Sequence, residues 1–145
     1  MIREMKPEDV PQVIDIEKAS FSDPWSFGSF IEDINLDFVY DPVYEENDRI
    51  LGYGSCWMMP DEAHIANIAV REDMRHKGIG RKLVENMLKE AKKRGEERAL
   101  LEVRVSNESA INLYESFGFV KIYRSKRFYE DNNEDAFIME LKFGS

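Results

Sequence analysis

The apolar residues change period several times along the chain. Ile2-Arg3-Glu4-Met5 alternates and predicts a short first strand, after which Pro7 marks a helix start, where its missing N–H is no loss. Val10, Val13, Ile14 and Ile16 carry that helix to about Phe21. Phe21 to Ser26 (FSDPWS) holds a turn at Asp23-Pro24, and a second helix from near Ser26 puts Phe27, Phe30, Ile31 and Ile34 on one side. From Phe38 the period becomes two. Phe38 to Glu45, Arg49 to Met59 and Ala63 to Arg71 read as three consecutive antiparallel strands, joined by turns at Glu46-Asn47-Asp48 and Pro60-Asp61.

Helical spacing returns between His76 and Arg94, with Ile79, Leu83, Met87 and Leu88 on one face and Gly95 as the stop. A strand from Ala99 to Val105 follows. Asn107 is a good N-cap for a last helix carrying Ala110, Leu113, Tyr114 and Phe117, which Gly118 ends. Phe119 to Phe128 and Asp135 to Phe143 close the chain as strands around a polar, acidic segment. The whole predicts one α/β (α+β) domain over residues 1–145, with no repeat or linker and a mostly antiparallel sheet.

Composition narrows the function. With 43% apolar and 34% charged residues the chain reads as a globular protein without a membrane-length apolar run, and MIREMKPEDV lacks the apolar core of a signal peptide, so a cytoplasmic location is expected. Cys56 stands alone in an apolar stretch and reads as a buried small hydrophobe; two histidines, His64 and His76, are too few for a zinc site, so no metal is expected. A net charge of −9 argues against nucleic-acid binding. Yet Arg71 to Arg98 holds ten Lys/Arg against six Asp/Glu, a local +4 that leaves −13 elsewhere. From charge alone this is first the pattern of a helix with a solvated charged face, and alternatively of one segment that meets an anion while the remainder faces a neutral or basic partner.

The anion segment is Ala69 to Gly80 (AVREDMRHKGIG), which runs from a strand pattern through a polar turn into a helix. Gly78 and Gly80 allow close backbone approach, the first helical N–H groups point outward, and Arg75 and Lys77 add charge. The P-loop ending Gly-Lys-Ser/Thr is absent, and Leu83 stands where a dinucleotide fingerprint needs its third glycine. Arg75, His76, Lys77, Gly78, Ile79 and Gly80 are therefore the candidate diphosphate site.

In these residues the chain resembles the GNAT superfamily of N-acetyltransferases, whose pyrophosphate motif is Gln/Arg-x-x-Gly-x-Gly/Ala; Arg75, Gly78 and Gly80 match it in register. The order β-α-α-β-β-β-α-β-α-β-β matches as well, implying the GNAT fold with a mixed seven-stranded sheet and four helices. FSDPWS, NIAVREDMRHKGIG (67–80) and LEVRVSNESAINLYESFGF (101–119) resemble the RimI branch, which acetylates protein N-termini. The resemblance implies acetyl-coenzyme A as cosubstrate and a protein N-terminus as acceptor. It also implies main-chain contacts to the cosubstrate from Ile68, Ala69 and Val70, a contact from Asn107 to the pantetheine arm, Glu102 as base and Tyr114 as acid.

The chemistry agrees with those residue types. Acetylating an amine takes a base to hold the amine neutral, donors for an oxyanion and a proton for the departing thiolate. Glu102 lies among Leu100, Leu101, Val103 and Val105, where pairing with Arg104 is the structural alternative to a catalytic role. Tyr114 can equally be a core tyrosine. His64 is a fallback base, on a strand face that strict alternation shares with Ala66, Ile68 and Val70. Trp25 and Tyr129 resemble substrate-facing positions, with packing of the two early helices on the sheet as the alternative, and the acidic stretches 45–48 and 130–135 favour a basic peptide. Acetylation of a small amine, such as a polyamine, amino acid or drug, and acyl-coenzyme A binding without turnover are the competing readings.

Overall fold

The computed structural model describes residues 1–144. Strand β1 (Ile2–Glu4) leads through a 3-10 turn at Pro7–Asp9 into α1 (Val10–Ser20), followed by α2 (Phe27–Ile34). Ser26 caps α2, its hydroxyl accepting the Ser29 N–H at 3.1 Å. Then come β2 (Val39–Tyr40), β3 (Pro42–Glu46), β4 (Arg49–Met59), β5 (Glu62–Val70), α3 (Ile79–Lys93), β6 (Arg98–Arg104), α4 (Glu108–Ser116), β7 (Val120–Ser125) and β8 (Ala136–Lys142). The described sheet has eight strands in the order β1-β3-β4-β5-β6-β8-β7, with β2 also paired to β4.

The eighth strand arises because the expected strand Phe38 to Glu45 breaks at Asp41, whose carbonyl turns aside to accept the Met5 N–H at 2.8 Å. Pro42 then opens β3, where its lack of an N–H costs least. The helix expected from His76 starts at Ile79 instead, because His76 and Gly78 adopt φ values of 63° and 85° that no α-helix contains.

Helices cover both faces of the sheet. Val10, Val13, Ile16 and Phe30 pack on Val43, Ile50, Tyr53 and Ala69, while Val84, Met87, Leu88, Ile111 and Tyr114 pack on Cys56, Ile65, Leu101, Val103 and Met139. Gly54 lets α3 approach closely, since a Cβ there would lie 2.9 Å from the Met87 sulfur.

Two irregularities in β5 matter for function. Ser55 pairs with Asn67 but Cys56 pairs with Ile65, so Ala66 is an extra residue in a β-bulge. The bulge resets the alternation: His64 meets Trp57 edge-on toward the α1–α2 side, Asn67 and Ala69 follow it there, and Ile68 and Val70 pack under α3. His64 therefore does not share a face with Ile68 and Val70, as strict alternation predicts. Moreover, β5 and β6 run parallel and pair only from Glu62↔Arg98 to Ile65↔Leu101, after which they part. The β6-side edge of β5 beyond Ile65 is left without a ladder partner.

Candidate active site

Where β5 leaves β6 a cavity of about 330 Å³ opens. Its walls are Ala66, Asn67 and Ile68 of β5 and Glu102, Val103 and Arg104 of β6; Asn107, the N-cap of α4, Tyr114 of α4, and Trp25 and Tyr129 from two loops line it as well. A hollow of about 610 Å³ between α1 and the turn after β5 is larger, but its lining includes none of the sequence-predicted site residues.

Glu102 projects from the point of divergence, and its Oε2 lies 2.6 Å from His64 Nε2. The cross-strand pair His64↔Leu100 places the imidazole one pleat from the carboxylate, so the predicted base and its fallback form one unit. Hydrogen bonding to Glu102, outweighing the opposing effect of burial, raises the His64 pKa above its ordinary value. The alternative pairing of Glu102 with Arg104 does not occur. Arg104 instead bonds Asp131 at 2.8 Å and Glu134 at 3.3 Å, and its guanidinium sits 3.9 Å above the Tyr129 ring.

Tyr114 is buried, with its ring edge-on to Phe119 and its place on the cavity wall retained. Burial raises its pKa, so the group stays a phenol and can donate a proton. Asn107 caps α4 by accepting the Ala110 N–H at 3.2 Å through Oδ1, which leaves its amide N–H₂ for another partner on the cavity side. Cys56 is buried, and desolvation pushes its thiol up to about 12, which removes it as a nucleophile near neutral pH.

Two loops frame the cavity. Ser22 donates to Asp131 Oδ2 at 2.5 Å, joining the segment that carries Trp25 to the one that carries Tyr129. Trp25 stacks on Trp57 with ring centroids 6.3 Å apart, and Trp57 meets His64 edge-on at 5.6 Å. Packing and a place on the wall are thus both true of Trp25.

At the far end of β5 the diphosphate candidates gather. The first helical hydrogen bond of α3 runs from Lys82 N–H to Gly78 O at 3.1 Å, and no side chain caps the helix. The N–H groups of Ile79, Gly80 and Arg81 therefore have no acceptor within α3, as an anion site requires. Nothing lies within 4 Å of a Cβ built on Gly78, so the space over the loop is open. Arg75 spends its donors on Val70 O at 3.1 Å and Ser20 Oγ at 3.2 Å, which makes it a brace for the loop. His76 and Lys77 are exposed. Uncapped amides and open space at the start of α3 thus adjoin the unpaired edge of β5.

Residues 10–119 match the family model described as Acetyltransferase (GNAT) family. The chain belongs to the GNAT acetyltransferase family. It is 34% identical over 142 residues to the [ribosomal protein bS18]-alanine N-acetyltransferase of Escherichia coli (strain K12), covering 97% of this chain and 95% of that protein. The crystal structure of the Escherichia coli ribosomal-protein-S18-alanine N-acetyltransferase superposes with a TM-score of 0.92 at 33% identity, covering 100% of this chain and 94% of that one. A NatC complex bound to Gag peptide and CoA aligns with a TM-score of 0.88 at 25% identity, covering 99% of this chain and 98% of that one. This GNAT protein is an acetyl-coenzyme A-dependent N-acetyltransferase. No metal-binding group occurs among its described residues, and no described helix is long and apolar enough to cross a membrane.

In this GNAT protein the cavity gathers the candidates Trp25, Ile68, Glu102, Asn107, Tyr114 and Tyr129, while Ala69, Val70 and Arg75 to Gly80 lie outside its lining. Sequence reasoning missed Glu17 and Asn67, which also line it. A signal for Glu17 was present: it follows Val10 and Val13 on the apolar stripe of α1, where a carboxylate is out of place.

Proposed function

We propose that this enzyme acetylates the N-terminal α-amine of a protein, with a ribosomal protein beginning with alanine as the first candidate. The observation that carries the reading is Glu102, which lines the β5–β6 opening together with Tyr114 and is hydrogen-bonded from behind the wall by His64. The names of the bS18-alanine relatives supply the acceptor.

Acetyl-coenzyme A supplies an activated acetyl thioester. The loop from Arg75 to Gly80 receives its diphosphate, and Asn107 and the free edge of β5 align its pantetheine arm. An α-amine has a pKa near 8 and arrives mainly as an ammonium at neutral pH, so a proton has to leave before attack. Glu102 takes that proton, and His64, when neutral, shares the charge through their hydrogen bond. The amine then attacks directly, main-chain N–H groups of β5 steady the oxyanion, and Tyr114 delivers a proton to the departing sulfur. Cys56, buried with its thiol protonated and absent from the cavity wall, takes no part as a nucleophile.

A second reading, acetylation of a small amine, is favoured by the Ser22–Asp131 bridge, since it ties together the two loops a peptide has to pass. Steady-state rates on an alanine-initiated peptide, the same peptide N-terminally blocked but carrying lysine, and spermidine separate the two. The free-N-terminus peptide is expected to be fastest. Activity confined to spermidine would replace the first reading with the second.

A further inference from the structure

Glu17 lies in the last turn of α1, only 1% exposed, on the wall of the acceptor cavity. Three donors converge on it. Oε2 accepts the Trp25 backbone N–H at 2.8 Å, and Oε1 accepts Asn67 Nδ2 at 2.9 Å and the Tyr53 hydroxyl. Desolvation raises the Tyr53 pKa far above its ordinary value, so Tyr53 remains a donor. Every partner of the carboxylate donates to it.

All three donors are neutral, and Glu17 takes part in none of the ion pairs among the described residues. A buried carboxylate without a cation is costly to keep, and a single methylated side chain would serve the core of α1 better. The loop hydrogen bond to Trp25 alone does not require a charge, since a glutamine oxygen accepts equally well. Oε2 carries one donor and has a lone pair to spare. The one obligatory cation of the reaction, the ammonium of the incoming amine, has the charge that would complement it.

We propose that Glu17 is a positioning residue for the acceptor: its buried, uncompensated carboxylate draws the substrate ammonium into the cavity while its oxygens hold the Trp25 loop and Asn67 in place. This rests on the N-terminal reading above. It divides the work between two carboxylates. Glu17 favours the protonated amine and acts on binding, whereas Glu102 removes the proton and acts on turnover.

The test is binding, measured by calorimetry in the presence of coenzyme A so that no reaction occurs. The probes are a hexapeptide beginning with alanine followed by Lys and Arg, and its isostere with propionyl in place of that alanine, which lacks only the amino group. At pH 6.5 the parent enzyme is expected to bind the amine form at least roughly tenfold tighter than the propionyl form. Glu17→Gln should bring the ratio to within about twofold with coenzyme A affinity unchanged, and Tyr53→Phe, which loosens the network but keeps the charge, should preserve the parent ratio. A ratio that survives in Glu17→Gln overturns the inference, and so does its loss in both variants, which would make the role purely architectural. If Glu17→Gln does not fold, Glu17→Met, an apolar side chain of similar length, takes its place under the same two outcomes. Failure of the parent enzyme to bind either peptide overturns the N-terminal reading itself, and this inference with it.

Discussion

Among single residues, the pair Glu102 and His64 gives the sharpest expectations. Glu102→Gln should lower kcat by roughly 10²- to 10⁴-fold, the usual contribution of a general base, with coenzyme A affinity unchanged in a direct titration. His64 must be neutral to share the proton, and its hydrogen bond to Glu102 holds its pKa above the ordinary value near 6.5. The acid limb of kcat at saturating peptide should therefore lie above about pH 6.5, and His64→Gln should remove it and extend activity to lower pH. An unchanged limb in that variant would detach His64 from the chemistry. The same shift has a stability sign: the protonated pair stabilises the fold fully below the unfolded imidazole's pKa, and that contribution fades as pH rises through the raised value. Glu102 and Tyr114 were legible because each sits in a motif. The hydrogen bond between Glu102 and His64 was not, because 38 residues separate them and only parallel pairing of their strands makes them neighbours. Glu17 escaped notice because a carboxylate in a helix is ordinarily read as surface.

At the level of elements, helix starts and strand junctions carry the expectations. Gly80→Val should weaken coenzyme A binding by an order of magnitude or more while sparing the fold. The added Cβ would meet Val70 and Leu113 at ordinary contact distances of 3.8 and 3.9 Å, yet the side chain would crowd the free N–H groups of the first turn. Undiminished affinity in a calorimetric titration would leave the loop as no more than a helix start. The β2–β3 junction makes a different prediction. Asp41 is buried with neither carboxylate oxygen hydrogen-bonded among the described residues, since Ser55 directs its one proton to Asp33 at 3.3 Å. Burial pushes the Asp41 carboxyl up to about 7, so the native state keeps a proton that the unfolded chain releases, and stability falls as pH rises from about 4 to 7. Asp41→Asn should gain up to about 4 kcal/mol over the parent in denaturant unfolding at pH 8, and little at pH 4. Element order, the four helices and the mostly antiparallel pairing were readable from periodicity and caps. The break at Asp41 and the bulge at Ala66 were not, because both depend on a partner strand: one on Met5 turning inward, the other on β4 pairing Ser55 with Asn67.

For the whole molecule, charge and the divided sheet set the behaviour. The segment Arg71 to Arg98 carries +4 and the remainder −13, so a basic peptide should be attracted to the acceptor side over distances that salt can screen. The KM for a peptide with Lys and Arg after its alanine should rise with added salt, and that for an uncharged peptide should not; parallel salt responses would remove long-range attraction from the account. The parting of β5 from β6 has a further consequence. Two half-sheets, β1-β3-β4-β5 and β6-β8-β7, are stitched together only between Glu62 and Ile65 on one side and Arg98 and Leu101 on the other. Without ligand, the amide protons on the open edge of β5 beyond Ala66 should exchange quickly with solvent, in a molecule whose other central strands are protected. Coenzyme A, bound along that edge as proposed above, would act as a zip between the halves. At a hundredfold excess over Kd it should add about 2.7 kcal/mol to the resistance against unfolding, and the slowing of exchange should be concentrated at Ile68 and Val70, whose ladder neighbours on β6 are missing.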